Sequence, residues 1–134
     1  MKRIISLIGL TLFCLTSYSQ WGGGFDFGGG GGASSGSLSS YTNKQNIDYV
    51  GDNHVGHKLD IYYPNDGKET HNVIIHIYGS AWGSNDGKSG ADHGTVGKAA
   101  LDAGYIFVTP NHRTYGDALW PAQINDIKAV VRYL

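Results

Sequence analysis

From Gln45 onward, short apolar runs alternate with turn chemistry. Ile47-Asp48-Tyr49-Val50 is rich in β-branched and aromatic residues, and Gly51-Asp52-Asn53 follows it with turn formers. His57 to Tyr63 then alternates, with Leu59, Ile61 and Tyr63 on one face. Two such segments on either side of a turn predict an antiparallel pair. Pro64-Asn65-Asp66-Gly67 closes the second strand, because proline fixes φ and the residues after it favour a tight turn.

Val73-Ile74-Ile75-His76-Ile77-Tyr78 is nearly continuous in apolar residues, the pattern of a strand buried on both faces of a parallel sheet. Residues 92–103 predict a helix, with Ala99, Ala100 and Leu101 near its end and Gly104 placed as a left-handed cap. Tyr105-Ile106-Phe107-Val108-Thr109 is a second buried strand. Pro121 suits the first turn of a further helix, along which Ile124, Ile127, Val131 and Leu134 fall on one stripe. The order is β-β-β-α-β-α. It predicts an α/β fold: a mostly parallel sheet with helices on its faces and an antiparallel hairpin at its N-terminal side. The last helix meets no stop signal at Leu134, so its pattern is expected to run on.

The first part of the chain has a different character. Lys2 and Arg3 precede the uncharged apolar run Ile4–Leu15, and Ser17-Tyr18-Ser19 offers small residues around a cleavage point before Gln20. That is the layout of a secretory signal peptide over residues 1–19. The run falls short of the roughly 20 apolar residues of a membrane span. Cys14 after an apolar stretch raises a lipoprotein anchor, but Phe13 stands where such signals carry a small residue. Residues 20–44 read as a flexible Gly/Ser-rich linker that cannot bury enough apolar surface to offset its ordering entropy. Trp21, Phe25 and Phe27 lie within it without an assigned role. The folded domain is expected over residues 45–134.

Composition narrows the partners. Of the 134 residues 40% are hydrophobic and 16% charged, with a formal net charge of −1. Nothing clusters basic charge into a face for nucleic acid or acidic membrane. Removing residues 1–19 takes away Lys2, Arg3 and no acid, and with them Cys14, the one cysteine. The exported chain then has no intramolecular disulfide and depends on its core.

Two stretches resemble the α/β-hydrolase esterases and lipases. Tyr78-Gly79-Ser80-Ala81-Trp82, directly after a buried strand, is similar to that family's His-Gly-Gly-Gly-Trp loop, with Tyr, Ser and Ala substituted. Pro110-Asn111-His112-Arg113, followed by Trp120-Pro121-Ala122-Gln123 and Asp126, resembles its Asn-Tyr-Arg and Phe-Pro-x-x-x-x-Asp stretch. The likeness covers residues 45–134. It implies an α/β-hydrolase fold cut before the nucleophile elbow, with no cofactor.

Ester hydrolysis passes through a tetrahedral oxyanion, which preorganised backbone N–H groups stabilise. In this fold one such donor comes from the loop after the third strand, and small residues let backbone approach the substrate. The resemblance therefore assigns the backbone N–H groups of Gly79 and Ser80 to an oxyanion hole, with Tyr78 and Trp82 as supports. A plain strand-to-helix turn would favour small residues too. Arg113 is expected to brace the loop with Asp126 as its partner, the alternative being two unrelated exposed charges.

The catalytic triad is expected outside this chain. One literal G-x-S-x-G occurs, Gly32-Ala33-Ser34-Ser35-Gly36, but it lies in the linker with no strand before it and no helix after it. None of His54, His57, His71, His76, His93 or His112 stands where the family's catalytic histidine would. His54 and His57 form H-x-x-H beside Asp52, the spacing of a metal-site fragment. They lack a third ligand and read as a solvated turn, so no metal is expected.

The sequence thus predicts the N-terminal part of a secreted or periplasmic serine hydrolase acting on carboxylic esters, on small molecules or as acyl groups on polysaccharide. No nucleic acid and, once the leader is cut, no membrane is expected as a partner. A peptidase of the same fold, or a secreted binding module without chemistry, are the alternatives. Purified residues 20–134 should hydrolyse a nitrophenyl acetate no faster than a denatured control, because donors without a nucleophile give only slight catalysis. Turnover clearly above that control would contradict the expected placement of the triad.

Overall fold

The hairpin forms around the alternating run. β1 (Thr42–Asp48) pairs antiparallel with β2 (Lys58–Tyr63) in the computed structural model of the chain, which describes residues 38–89 and 93–134. β1 is longer than the apolar pattern suggests because its register slips between Lys44 and Ile47. Asn46 takes φ 55° there, a conformation asparagine tolerates better than most residues, and its N–H donates to Asp60 Oδ1 at 2.7 Å. The polar residues before Ile47 thereby join the sheet, although their sequence reads as linker.

β3 (Val73–Ile75) pairs parallel with β4 (Ile106–Pro110), and β4 pairs antiparallel with β2, giving the order β1-β2-β4-β3. The continuous apolar runs are explained by two cores, one on each face. Leu38, Tyr62, Ala100, Leu101 and Phe107 are buried together, with Ile74 against them. Leu59, Ile61, Val108, Tyr49 and Val130 form the second cluster, with Val73, Ile75 and Ile106 against it. Successive residues of β2, β3 and β4 alternate between the clusters, as strand geometry requires.

Several expectations need correction. Leu38 is 4% exposed and Thr42–Lys44 pair with β2, so the fold begins before residue 45. The earlier part of the proposed linker and the leader lie outside the described residues, as do Trp21, Phe25, Phe27 and the Gly32–Gly36 match. Within the run at 73–78, residues 73–76 are half-buried because β3 is an edge strand of the described sheet, Ile77 is exposed, and only Tyr78 is buried. The helix expected over 92–103 is a π-helical turn, His93–Gly97, running into α1 (Lys98–Asp102). A Cβ on Gly97 would sit 3.0 Å from both Leu38 and Phe107, so a glycine lets this turn lie on the sheet. Gly104 caps α1 at φ +81°, and Tyr105 N–H closes on Ala100 O.

α2 (Ala122–Tyr133) begins after Pro121, but its most buried face is not the expected stripe of Ile124, Ile127, Val131 and Leu134, of which Leu134 packs against the second core. Gln123, Asp126 and Val130 are buried, while Val131 is exposed. Two polar side chains are turned inward because each has backbone to bond. Gln123 Nε2 donates to Thr114 O and Ala118 O, and Asp126 receives the Arg113 N–H. Among the described residues no helix is long and apolar enough to cross a membrane.

Phe107 is fully buried beneath α1. Phe107→Ala should cost about 3–5 kcal/mol of unfolding free energy, read from a urea titration of the full-length protein. A cost below about 1 kcal/mol would show that this face is not a core.

Candidate functional site

Two loops leave the same end of the sheet, one after β3 and one after β4. The first starts at Tyr78, whose ring is buried. It stacks flat on His112, with centroids 4.8 Å apart and planes 16° from parallel, and its hydroxyl donates to Ser84 O at 2.9 Å. Burial raises the phenol pKa above its ordinary value, so it remains a neutral donor. Gly87 passes so close that an added Cβ would lie 2.2 Å from the Tyr78 ring.

Beyond Tyr78 the backbone turns sharply. Gly83 N–H donates to Ser80 O at 2.8 Å, and the two residues between, Ala81 and Trp82, hold φ 49° and 60°. Consecutive positive φ values are the mark of a tight mirror-image turn, usually made by Gly or Asn. With side chains present, each costs of order 1–3 kcal/mol and persists only where surroundings enforce it. The surroundings are identifiable. Trp82 O accepts Tyr115 N–H at 3.0 Å, and the Trp82 ring meets His112 edge-on at 4.9 Å.

Gly79 is exposed, and a Cβ built there would meet nothing within 4 Å. Among the described residues, neither the Gly79 nor the Ser80 N–H donates to a protein acceptor. The turn therefore presents two unused backbone donors beside open space. Such groups stabilise an oxygen that acquires negative charge.

The second loop carries the supports. Asn111 is fully buried; its N–H donates to Lys58 O and its Nδ2 to Val55 O. His112 is 1% exposed, and its Nδ1 lies 3.0 Å from Arg113 O, a contact that needs the ring proton on Nδ1. Sequence reasoning gave no role to His112 or Gly87, since a ring packed under a loop is invisible without the loop's path. The structure brings Arg113 and Asp126 together. Arg113 Nη2 and Nε donate to the carboxylate at 2.6 and 3.0 Å, and the Arg113 N–H adds a bond at 3.0 Å. These bonds raise the guanidinium pKa further, so the arginine stays charged.

The H-x-x-H pair is not a solvated turn. His57 is 5% exposed, its Nδ1 2.8 Å from Asp52 Oδ2 and its Nε2 3.4 Å from Asp126 Oδ1. His54 Nδ1 accepts the Gly56 N–H at 3.0 Å. His54 thus closes the turn before β2, and His57 ties that turn to Asp126 on α2. Among the described residues no group of three or more His, Cys, Asp or Glu is arranged to hold a metal. Tyr115, Leu119 and Trp120 are exposed on the 114–120 segment.

The BD-FAE family profile matches residues 59–134. A bifunctional GH43-CE protein of Bacteroides eggerthii is 46% identical with a TM-score of 0.65, over 68% of this chain and 13% of that one. A truncated form of a carbohydrate esterase from gut microbiota is 43% identical at TM-score 0.65, over 69% of this chain and 33% of its own. Esterase B of Lactobacillus rhamnosis, 24% identical at TM-score 0.58 over 69% of this chain and 29% of its own, shares the fold. The chain thus spans a third or less of each of these structures. No curated protein matches it.

The contact between Gly87 and Tyr78 yields a test. Gly87→Ala should destabilise the full-length protein by about 1–3 kcal/mol through overpacking. In a Tyr78→Ala background the same change should cost almost nothing further. Equal costs in both backgrounds, measured by denaturant titration, would show that the ring does not fill this space.

Proposed function

The chain belongs to the BD-FAE family, and from that premise we propose that it forms the oxyanion-binding part of a carboxylic ester hydrolase with a serine nucleophile. The observation that carries the reading is the strained turn after β3, which leaves the Gly79 and Ser80 N–H groups uncommitted beside open space. Tyr78, Trp82, Arg113 and Asp126 act through this turn. Tyr78 and Trp82 clasp His112, and the arginine clasped by Asp126 fixes the backbone on either side of it. Exposed Trp82 and Tyr115 lie next to the donors, where an acyl or sugar group would rest.

In this reading a serine hydroxyl, carried by a part of the protein outside this chain, gives its proton to a histidine base likewise outside it and adds to the ester carbonyl, whose π electrons pass to the oxygen. The carbonyl oxygen gains charge and is met by the two N–H groups, which need no reorganisation at that moment. The carbohydrate-esterase relatives support acyl groups on polysaccharide as the substrate. The apolar run after Lys2 and Arg3 supports export, with cleavage before Gln20, to the periplasm or beyond.

The role of Ser80 separates backbone from side chain. In the full-length protein, Ser80→Pro removes one donor and should lower turnover of a nitrophenyl ester by at least about 10²-fold. Ser80→Ala should change the rate little. Alanine as damaging as proline would make the hydroxyl the working group, and cleavage of model peptides but not esters would replace the esterase reading by a peptidase.

A further inference from the structure

Tyr78 fixes the start of the first loop; a buried lysine fixes its end. Lys88 is 6% exposed, and its ammonium donates to Asp60 Oδ2 at 2.9 Å, with Asp60 only 2% exposed. Lys88 N–H donates to Asn111 Oδ1 at 3.0 Å, and its carbonyl accepts from Thr109 Oγ1 at 3.1 Å. Asp60 lies on β2, whereas Thr109 and Asn111 are at the end of β4. One residue thus ties the loop to two strands. Between Tyr78 and Lys88 the loop is largely solvent-facing, with Gly79, Ala81, Trp82, Gly83 and Asp86 exposed.

Stability is a poor account of this ion pair. Both charges lose their water, and replacing such a pair with uncharged groups of similar volume is often neutral or stabilising. What a buried pair supplies is direction: the ammonium and carboxylate must meet at one place, and Asp60 is itself held by the Asn46 N–H. The two backbone bonds of Lys88 fix where the chain passes, and the ion pair fixes its distance from β2.

We propose that Lys88 is a positioning residue: its ion pair with Asp60 sets where the Gly79 and Ser80 N–H groups stand relative to the reacting carbonyl. This rests on the oxyanion reading of those donors. A displacement of about 1 Å at such a site costs on the order of 10²-fold in rate.

The test uses the full-length protein with Lys88→Met/Asp60→Asn, which removes both charges while keeping volume and the Asn46 bond. Its melting temperature should stay near that of the parent. Hydrogen exchange at Gly83, whose N–H is bonded to Ser80 O, should nevertheless speed up about tenfold or more, and kcat for a nitrophenyl ester should fall at least tenfold with KM within twofold. Lys88→Arg, which keeps both charges but carries a longer, planar head, should show the same split more weakly and serves if the double variant does not fold. Parental kcat in these variants, with Ser80→Pro still crippling, would overturn the role of Lys88 alone. Parental kcat in all of them, Ser80→Pro included, would overturn the oxyanion reading and the positioning role with it.

Discussion

β4 lies between β2 and β3, and both loops of the candidate site are fastened to its C-terminal end. Its alternating residues enter both cores, Phe107 on one face and Val108 on the other. A strand held on both faces and both edges has little freedom. The residues that follow it, Asn111, His112 and Arg113, therefore stand on a rigid base. Asn111 and Thr109 reach one loop and Arg113 grips α2, so the burial of β4 becomes the geometry of the site.

Upon that base the protein holds a backbone conformation that its own sequence disfavours. Ala81 and Trp82 carry side chains at positive φ, where glycine or asparagine would cost less. The ring of His112 lies between Tyr78 and Trp82, and Tyr115 N–H holds the Trp82 carbonyl. Strain kept by surrounding contacts is common where backbone groups must face a ligand. Here it directly follows Gly79 and Ser80, whose N–H groups donate to no acceptor among the described residues. Tryptophan at such a position also places an aromatic side chain beside those amides, which neither glycine nor asparagine would do.

The order of strands and helices was legible because each run of Val, Ile, Tyr and Phe has the period of its element, and because Gly104 marks the end of α1. The loop at Tyr78–Trp82 was legible through its small residues and its resemblance to hydrolases. Three features were not. The polar start of β1 depends on a register slip at Asn46, which no apolar alternation reports. The inward face of α2 carries Gln123 and Asp126, so a stripe drawn through isoleucines falls to one side of it. Nothing local in the sequence marks Lys88 and Asp60, since a buried pair is defined by partners 28 positions apart. In each case tertiary hydrogen bonds, absent from any local pattern, decide which side chains turn inward.

The most direct test of the central claim is a crystal structure of the full-length protein inactivated by an alkyl phosphonate ester, whose tetrahedral phosphorus mimics the intermediate. The phosphonyl oxygen should lie about 2.7–3.1 Å from the backbone nitrogen of Gly79 or Ser80, the distance at which an N–H stabilises an oxyanion. An adduct whose oxygen is met by other donors, with both amides still facing solvent, would contradict it.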